Sequence, residues 1–136
     1  MNTIYIKRDE THELAEQVAT IGFFDGVHRG HQFLISRVID EAERSGMASA
    51  VITFDRHPRQ VLQADYQPEL LSTLDEKLLL LSKTHIDNSF VLHFDASLAA
   101  LSAHDFMQEV LCKQLNVKKL IIGYDNRFGH NRSETF

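Results

Sequence analysis

The 136-residue sequence has one cysteine, two prolines and no tryptophan, and it has no long hydrophobic run. Its single cysteine, Cys112, cannot form an internal disulfide, which excludes a small disulfide-stabilised secreted scaffold. No apolar run approaches the roughly 20 residues that cross a bilayer, and the polar, mixed-charge start predicts no signal peptide. These absences favour a soluble cytoplasmic protein that does not act in a membrane.

The sequence also lacks an excess of positive charge, since its formal net charge is -5 at pH 7. A surface of this sign does not favour nucleic-acid binding, but a local pocket can still hold a phosphate group. Hydrophobic residues make up 43% of the chain, which is enough for a packed core and argues against disorder. We therefore expect one globular domain.

Short apolar segments alternate with segments of helical periodicity. Strands are predicted at residues 18–24, 48–54, 89–94 and 118–123, and helices at 30–45, 73–83 and 102–115. Gly46 stands where the first helix should end, and Ser102 where the third should begin. Strands that are almost continuously apolar and separated by helices predict an α/β fold with a parallel sheet.

Polar stretches follow three of the predicted strands, with the sequences FDGVHRGH (24–31), TFDRHP (53–58) and GYDNRFG (123–129). In open parallel sheets, ligands bind outside the carboxyl ends of the strands. We therefore expect the three stretches to meet at one edge of the sheet and to form a binding site.

The first stretch has two histidines, His28 and His31, around a glycine at a predicted strand-to-helix junction. The free amides and positive dipole end of a helix suit an anion, and histidines can donate hydrogen bonds to phosphate oxygens. Two other interpretations are histidines that only satisfy a turn and a zinc site completed by His57 or Asp25. A P-loop is excluded because the Gly-Lys-Ser/Thr ending is absent. Together the residues favour a nucleotide-phosphate site.

The segment His28-Arg29-Gly30-His31 fits the H-x-G-H motif of the nucleotidylyltransferase superfamily. Its setting is TIGFFDGVHRGHQ (20–32), VITFDRHP (51–58), LSTLDEK (71–77) and GYDNRFG (123–129). In this order and spacing the motifs resemble the FMN adenylyltransferase (FAD synthetase) module of prokaryotic bifunctional riboflavin kinase/FAD synthetase. The resemblance runs from about residue 18 to the end of the chain. It implies a Rossmann-like open parallel sheet of the nucleotidylyltransferase type.

The resemblance also implies a reaction, in which the phosphate of FMN attacks the α-phosphorus of ATP with assistance from Mg²⁺, giving FAD and pyrophosphate. It implies catalytic roles for His28, His31 and Asp125, and it assigns no metal ligand. The implied ATP contacts are Gly22, Phe24, Asp25, His28, Gly30 and His31. The implied flavin contacts are Pro58, Leu62, Asp125 and Phe128.

The sequence departs from the family pattern at Phe23, where Asn is common, and at Arg56, where Pro is common. Leu62 and Asn126 stand where relatives are often aromatic, which weakens the expected stacking on the flavin. Two alternatives to FMN adenylylation therefore remain open. One is a nucleotidylyltransferase with another acceptor, such as a pyridine mononucleotide or phosphopantetheine, and the other is a non-catalytic nucleotide- or flavin-binding module.

In the resembled family the module continues beyond the G-x-D-x-R-F-G motif into a second half, followed by a riboflavin kinase domain. The resemblance therefore implies that residues 1–136 are a truncated adenylyltransferase domain. It also implies a C-terminal riboflavin kinase domain in the parent chain, and weak or no activity of this segment alone.

The remaining cysteine and histidines have no companion motif. Cys112 lies among Val110, Leu111 and Leu115 and is expected to be a buried small hydrophobic residue. We expect His85, His93 and His104 to be surface or capping residues.

Overall fold

Five parallel strands form one sheet. The computed structural model describes residues 1–7, 10, 12–22, 24, 29–55 and 74–122, with backbone only at 29 and 30. The strands are β1 (Asn2–Ile6), β2 (Gln17–Ile21), β3 (Ala48–Phe54), β4 (Asn88–Leu92) and β5 (Val117–Leu120). Their order in the sheet is β1-β4-β3-β2-β5, and every neighbouring pair is parallel.

Helices cover both faces of the sheet. They are α1 (Arg29–Ser45), α2 (Leu74–Ser82), α3 (Ala96–Ala99) and α4 (Ala103–Asp105), which continues into the π-helix Phe106–Gln114. On one face, α1 and α2 pack Ile35, Val38 and Leu81 against Val18 and Val51 of the sheet. On the other face, the π-helix packs against a second set of alternating strand residues that includes Ala19, Ile52 and Phe90. The central strands are therefore buried on both sides, which explains their continuous apolar sequence.

Two predicted helix boundaries are confirmed. Gly46 follows α1 with φ +69°, the left-handed conformation that ends many helices. The Ser102 hydroxyl accepts a hydrogen bond from the Asp105 amide at 3.1 Å and caps α4.

The parallel α/β architecture is confirmed, and β3 has the predicted bounds. The other predicted strands extend two or three residues too far, and β2 ends at Ile21, three residues before Phe24 with its φ of +54°. β1 was not predicted, since NTIYI is partly exposed and lies at the edge of the sheet.

The prediction that Cys112 is buried is wrong, because this thiol is exposed. The π-helix has Phe106, Val110 and Leu111 buried, and Leu115, which follows it, is also buried, a wider spacing than in an α-helix. At its end, the Leu115 amide bonds the Val110 carbonyl at 3.0 Å, five residues back. This wider turn leaves Cys112 outside the buried stripe.

An ion-pair group on α1 holds the edge strand β5. Lys119 of β5 donates to Glu41 at 2.7 Å and to the Ser45 hydroxyl at 2.8 Å, and Arg44 donates to the same carboxylate. Hydrogen bonds from Lys119 and Arg44 lower the pKa of Glu41 to about 2, from its usual 4.5. The group thus joins α1 to the strand that leads to the GYDNRFG stretch.

This pKa predicts a stability change at acidic pH. Because the folded-state pKa of Glu41 is lowered, its contribution is complete above the unfolded pKa of 4.5 and is lost as pH falls toward about 2. Lys119→Met should raise the Glu41 pKa and reduce this loss, measured by NMR titration of the carboxyl carbon and by urea unfolding across this range. Lys118→Met is the matched control, and an equal effect of both variants would contradict the assignment.

The end of α1 gives a second stability prediction. A Cβ at Gly46 would contact nothing within 4 Å, so the cost of Gly46→Ala comes only from the left-handed backbone. We expect a loss of about 1 kcal/mol in the free energy of unfolding, measured with urea. Gly46→Asn should lose less, since asparagine tolerates this conformation. An alanine variant as stable as the parent would show that the helix end relaxes freely.

Candidate functional site

The candidate site lies outside the carboxyl ends of β3, β2 and β5, which are adjacent in the sheet. These are the strands that precede the three polar stretches, so the stretches start from neighbouring strands, although most of their residues lie outside the described ranges. The chain moves from β2 through β3 to β4 and then crosses back to β5 on the other side of β2. Such a reversal of strand order opens a crevice for a ligand in α/β sheets.

Gly22, Phe24 and His31 come together at the junction between β2 and α1. The Phe24 ring is buried in the core beneath α1, and its centroid lies 4.9 Å from that of the His31 ring at a tilt of 58°. A Cβ at Gly22 would lie 3.3 Å from Phe24 Cε2, so glycine permits this close packing. Gly22 thus makes room for the Phe24 ring, and this ring packs against the half-buried imidazole of His31 and supports it.

Phe24 holds a strained conformation at this junction. Its φ of +54° is the left-handed region, which costs a bulky L-residue about 1–2 kcal/mol. Burial of a phenylalanine side chain contributes roughly 1.5–3 kcal/mol, which offsets this cost. The strain is therefore sustained by the core, at the point where the chain turns from β2 toward the histidine motif.

The first turn of α1 is suited to an anion. It begins at Arg29, and the turn itself contains no acidic residue. The first amides of a helix have no intrahelical acceptor, and the helix dipole favours negative charge beside them. His31 lies in this turn, where an imidazole N–H can donate to the same ligand.

Only some of the predicted site residues are described. Gly22, Phe24, the backbone of Gly30 and His31 lie at the β2–α1 junction, as expected. The others lie outside the described residues, namely Asp25, His28, Pro58, Leu62, Asp125 and Phe128. Within the described ranges, no group of three histidine, cysteine or acidic side chains could hold a metal ion.

Sequence reasoning missed an acid–imidazole pair at the same edge of the sheet. Asp55 directly follows β3, and His93 directly follows β4, with Nδ1 of His93 2.6 Å from Oδ2 of Asp55. His93 is 41% exposed, as expected of a surface residue, and the structure adds a partner for its imidazole that the sequence did not indicate. The available signal was the position of both residues immediately after parallel strands.

A buried lysine was also missed. Lys77 of α2 is 8% exposed, and its ammonium donates to the Phe54 carbonyl at 3.5 Å, at the end of β3. Lysine is rarely buried without a partner, so this cation belongs to the structure of the strand end.

A pocket of about 290 Å³ lies elsewhere, lined by Ile121 and by charged residues in the second half of α1. Because α1 starts at the carboxyl edge of the sheet and runs away from it, these residues lie beyond the turn that contains His31. Glu41 and Arg44 are already paired there, so we do not assign the reaction to this pocket.

None of the described helices is long and apolar enough to span a membrane. A crystal structure of a macrolide-efflux protein from Streptococcus pneumoniae is similar, with a TM-score of 0.84 and 26% sequence identity. The match covers 97% of this chain and 44% of that one. This similarity confirms the architecture.

Sequence comparison finds bifunctional riboflavin kinase/FMN adenylyltransferases. The protein from Escherichia coli strain K12 is 39% identical over 119 residues, covering 88% of this chain and 38% of that protein. The Bacillus subtilis strain 168 protein is 34% identical over 133 residues, covering 95% of this chain and 42% of that protein. The chain thus spans about two-fifths of the length of these relatives.

The family model for FAD synthetase matches residues 10–136, which include the H-x-G-H motif and the strands that carry the candidate site. This confirms the resemblance inferred from the four sequence motifs: the chain belongs to the FAD synthetase family.

Proposed function

We propose that the full-length protein transfers AMP from ATP to FMN, giving FAD and pyrophosphate. The observation that carries the proposal is the match to the FAD synthetase family over a segment whose H-x-G-H motif opens α1 outside β2. The similarity to bifunctional riboflavin kinase/FMN adenylyltransferases supports FMN as the acceptor. ATP, as its Mg²⁺ complex, and FMN are the substrates in this proposal.

The reaction needs positioning and charge stabilisation more than covalent catalysis. An oxygen of the FMN phosphate forms a bond to the α-phosphorus of ATP, and the bond from that phosphorus to the bridging oxygen of the β-phosphate breaks. Negative charge grows on the departing pyrophosphate. His28, His31 and the first amides of α1 donate to these oxygens, with Gly22, Phe24, Asp25 and Gly30 shaping the ATP pocket.

The acceptor side is assigned to the segments that follow β3 and β5. These strands flank β2, so both segments begin beside the proposed phosphate site. Pro58 and Leu62 follow β3, and Asp125 and Phe128 follow β5. We assign these four residues to the flavin, with Asp125 also orienting the substrate.

The proposal also covers the parent chain, the class of substrate and the cellular location. The bifunctional relatives support a riboflavin kinase domain in the parent chain, with residues 1–136 as part of its adenylyltransferase domain. The net charge of -5 supports a small-molecule substrate over a nucleic acid. A chain with a single cysteine and substrates of this kind fit the cytoplasm, where we place the reaction.

The direct test is an acceptor comparison with the full-length protein. Incubation with Mg-ATP and FMN should give FAD and pyrophosphate in equal amounts, because each transfer releases one of each. Products are separated by chromatography and identified by mass. A pyridine mononucleotide and phosphopantetheine, offered separately, should give no adenylylated product.

Each alternative gives a different result in this assay. An adenylylated product from another acceptor, without FAD, would identify a different nucleotidylyltransferase. Binding of ATP or FMN without any product would identify a non-catalytic module.

The role of His31 gives a kinetic prediction. Removing a preorganised donor to a developing negative charge typically costs 10²–10³-fold in turnover. His31→Asn in the full-length protein should therefore lower kcat by roughly 10²–10³-fold, with a much smaller change in the KM for ATP. Steady-state FAD formation at varied ATP measures both quantities.

The matched control is His104→Asn, which changes an exposed histidine of α4. Thermal unfolding of both variants shows whether the folded fraction is preserved, since His31 also packs on Phe24. A kcat within about threefold of the parent would contradict the catalytic role and return His31 to a turn-forming residue.

A further inference from the structure

Asp55 is held by two strands at the edge of the candidate site. One carboxylate oxygen accepts the Phe94 amide at 3.0 Å, and the other lies 2.6 Å from Nδ1 of His93. The Asp55 amide donates to the Leu92 carbonyl at 3.0 Å. Asp55, the first residue after β3, is therefore bonded to Leu92 at the end of β4 and to His93 and Phe94 directly after it.

Neighbouring contacts strengthen the same junction. The rings of Phe54 and Phe94 meet edge to face with centroids 5.5 Å apart, and Lys77 donates to the Phe54 carbonyl. On the far side, the His93 amide donates to the Ile6 carbonyl of β1 at 3.0 Å. The backbone of His93 is thus anchored to β1, and its imidazole is held by the contact with Asp55.

The hydrogen bond requires a proton on Nδ1 of His93, because the Asp55 carboxylate only accepts. A neutral ring with its proton on Nδ1 and a protonated ring both supply this donor. A bond to a charged acceptor is stronger than a neutral one, and the side chains of Asp55 and His93 are 25% and 41% exposed. The pair therefore restrains how the chain leaves β3.

We propose that Asp55 and His93 form a positioning pair that sets the acceptor side of the site and thereby the affinity for FMN. The chain continues from Asp55 directly into Arg56-His57-Pro58, the start of the segment assigned to the flavin. This inference rests on the proposed function. It adds two residues that do not themselves contact the reacting atoms.

From the position of the pair we expect a larger effect on the affinity for FMN than on that for ATP. His93 and Asp55 join β3 to β4, whereas β2 lies on the other side of β3. The proposed ATP side is built separately from Gly22, Phe24 and His31, with the Phe24 ring packed in the core. Loss of the pair releases the exit of β3 and leaves that support in place.

The test measures FAD formation by the full-length protein with His93→Ala, His93→Asn and Asp55→Ala. His93→Ala should raise the KM for FMN by about tenfold, equivalent to ~1.4 kcal/mol, with little change in the KM for ATP. His93→Asn should restore most of the affinity, because its amide N–H can take the place of the Nδ1 donor. The double variant Asp55→Ala/His93→Ala should have a KM for FMN no higher than that of Asp55→Ala alone, since both changes remove the same pair.

His104→Ala is the matched control, and thermal unfolding is recorded for every variant. A lower Tm with both KM values unchanged would reduce the pair to a structural contact and overturn the proposal. Equal increases in both KM values, or no rescue by His93→Asn, would also overturn it. Absence of FAD with the parent protein would instead refute the proposed function, and this inference with it.

Discussion

Parallel strand pairing is the constraint on which the site depends. Because β3, β2 and β5 run in the same direction, the three segments that follow them start at one edge of the sheet, although they are far apart in the sequence. Parallel pairing also requires helical crossovers, and these cover both faces with apolar side chains. The burial that stabilises the sheet thus leaves its carboxyl edge as the place where polar residues can gather.

At that edge, the backbone adopts a strained conformation next to the candidate site. Phe24 accepts a left-handed conformation, and its buried ring both offsets the strain and supports His31. A smaller residue at position 24 would contribute less burial to offset the strain, and it would leave the imidazole of His31 without its aromatic neighbour. The junction can therefore be strained and still fixed, because the core rather than the turn determines its shape.

The sequence allowed the elements with strong local patterns to be predicted. The seven-residue segment Ala48–Phe54 is β-branched or apolar throughout, and its bounds were correct. Gly46 and Ser102 have local backbone roles, which made their positions predictable. The strand predicted from Val18 ran too far because its apolar residues continue into a turn that only the fold defines. The Asp55–His93 pair joins residues 38 apart, and its only signal was that both residues directly follow strands, which indicates a contact only once the strand order is known.

The neighbours of β2 in the sheet are β3 on one side and β5 on the other. β2, which lies between these flanks, leads into the strained junction and the start of α1, the side assigned to ATP in the proposed function. Under the proposed function, acceptor choice depends on the segments that follow β3 and β5. On the β5 side, Lys119 anchors the strand to Glu41 of α1. On the β3 side, His93 and the Phe94 amide anchor Asp55. Each flank is thus fixed by a charged contact of its own, β5 to α1 and the end of β3 to the end of β4, and neither contact involves the junction between β2 and α1.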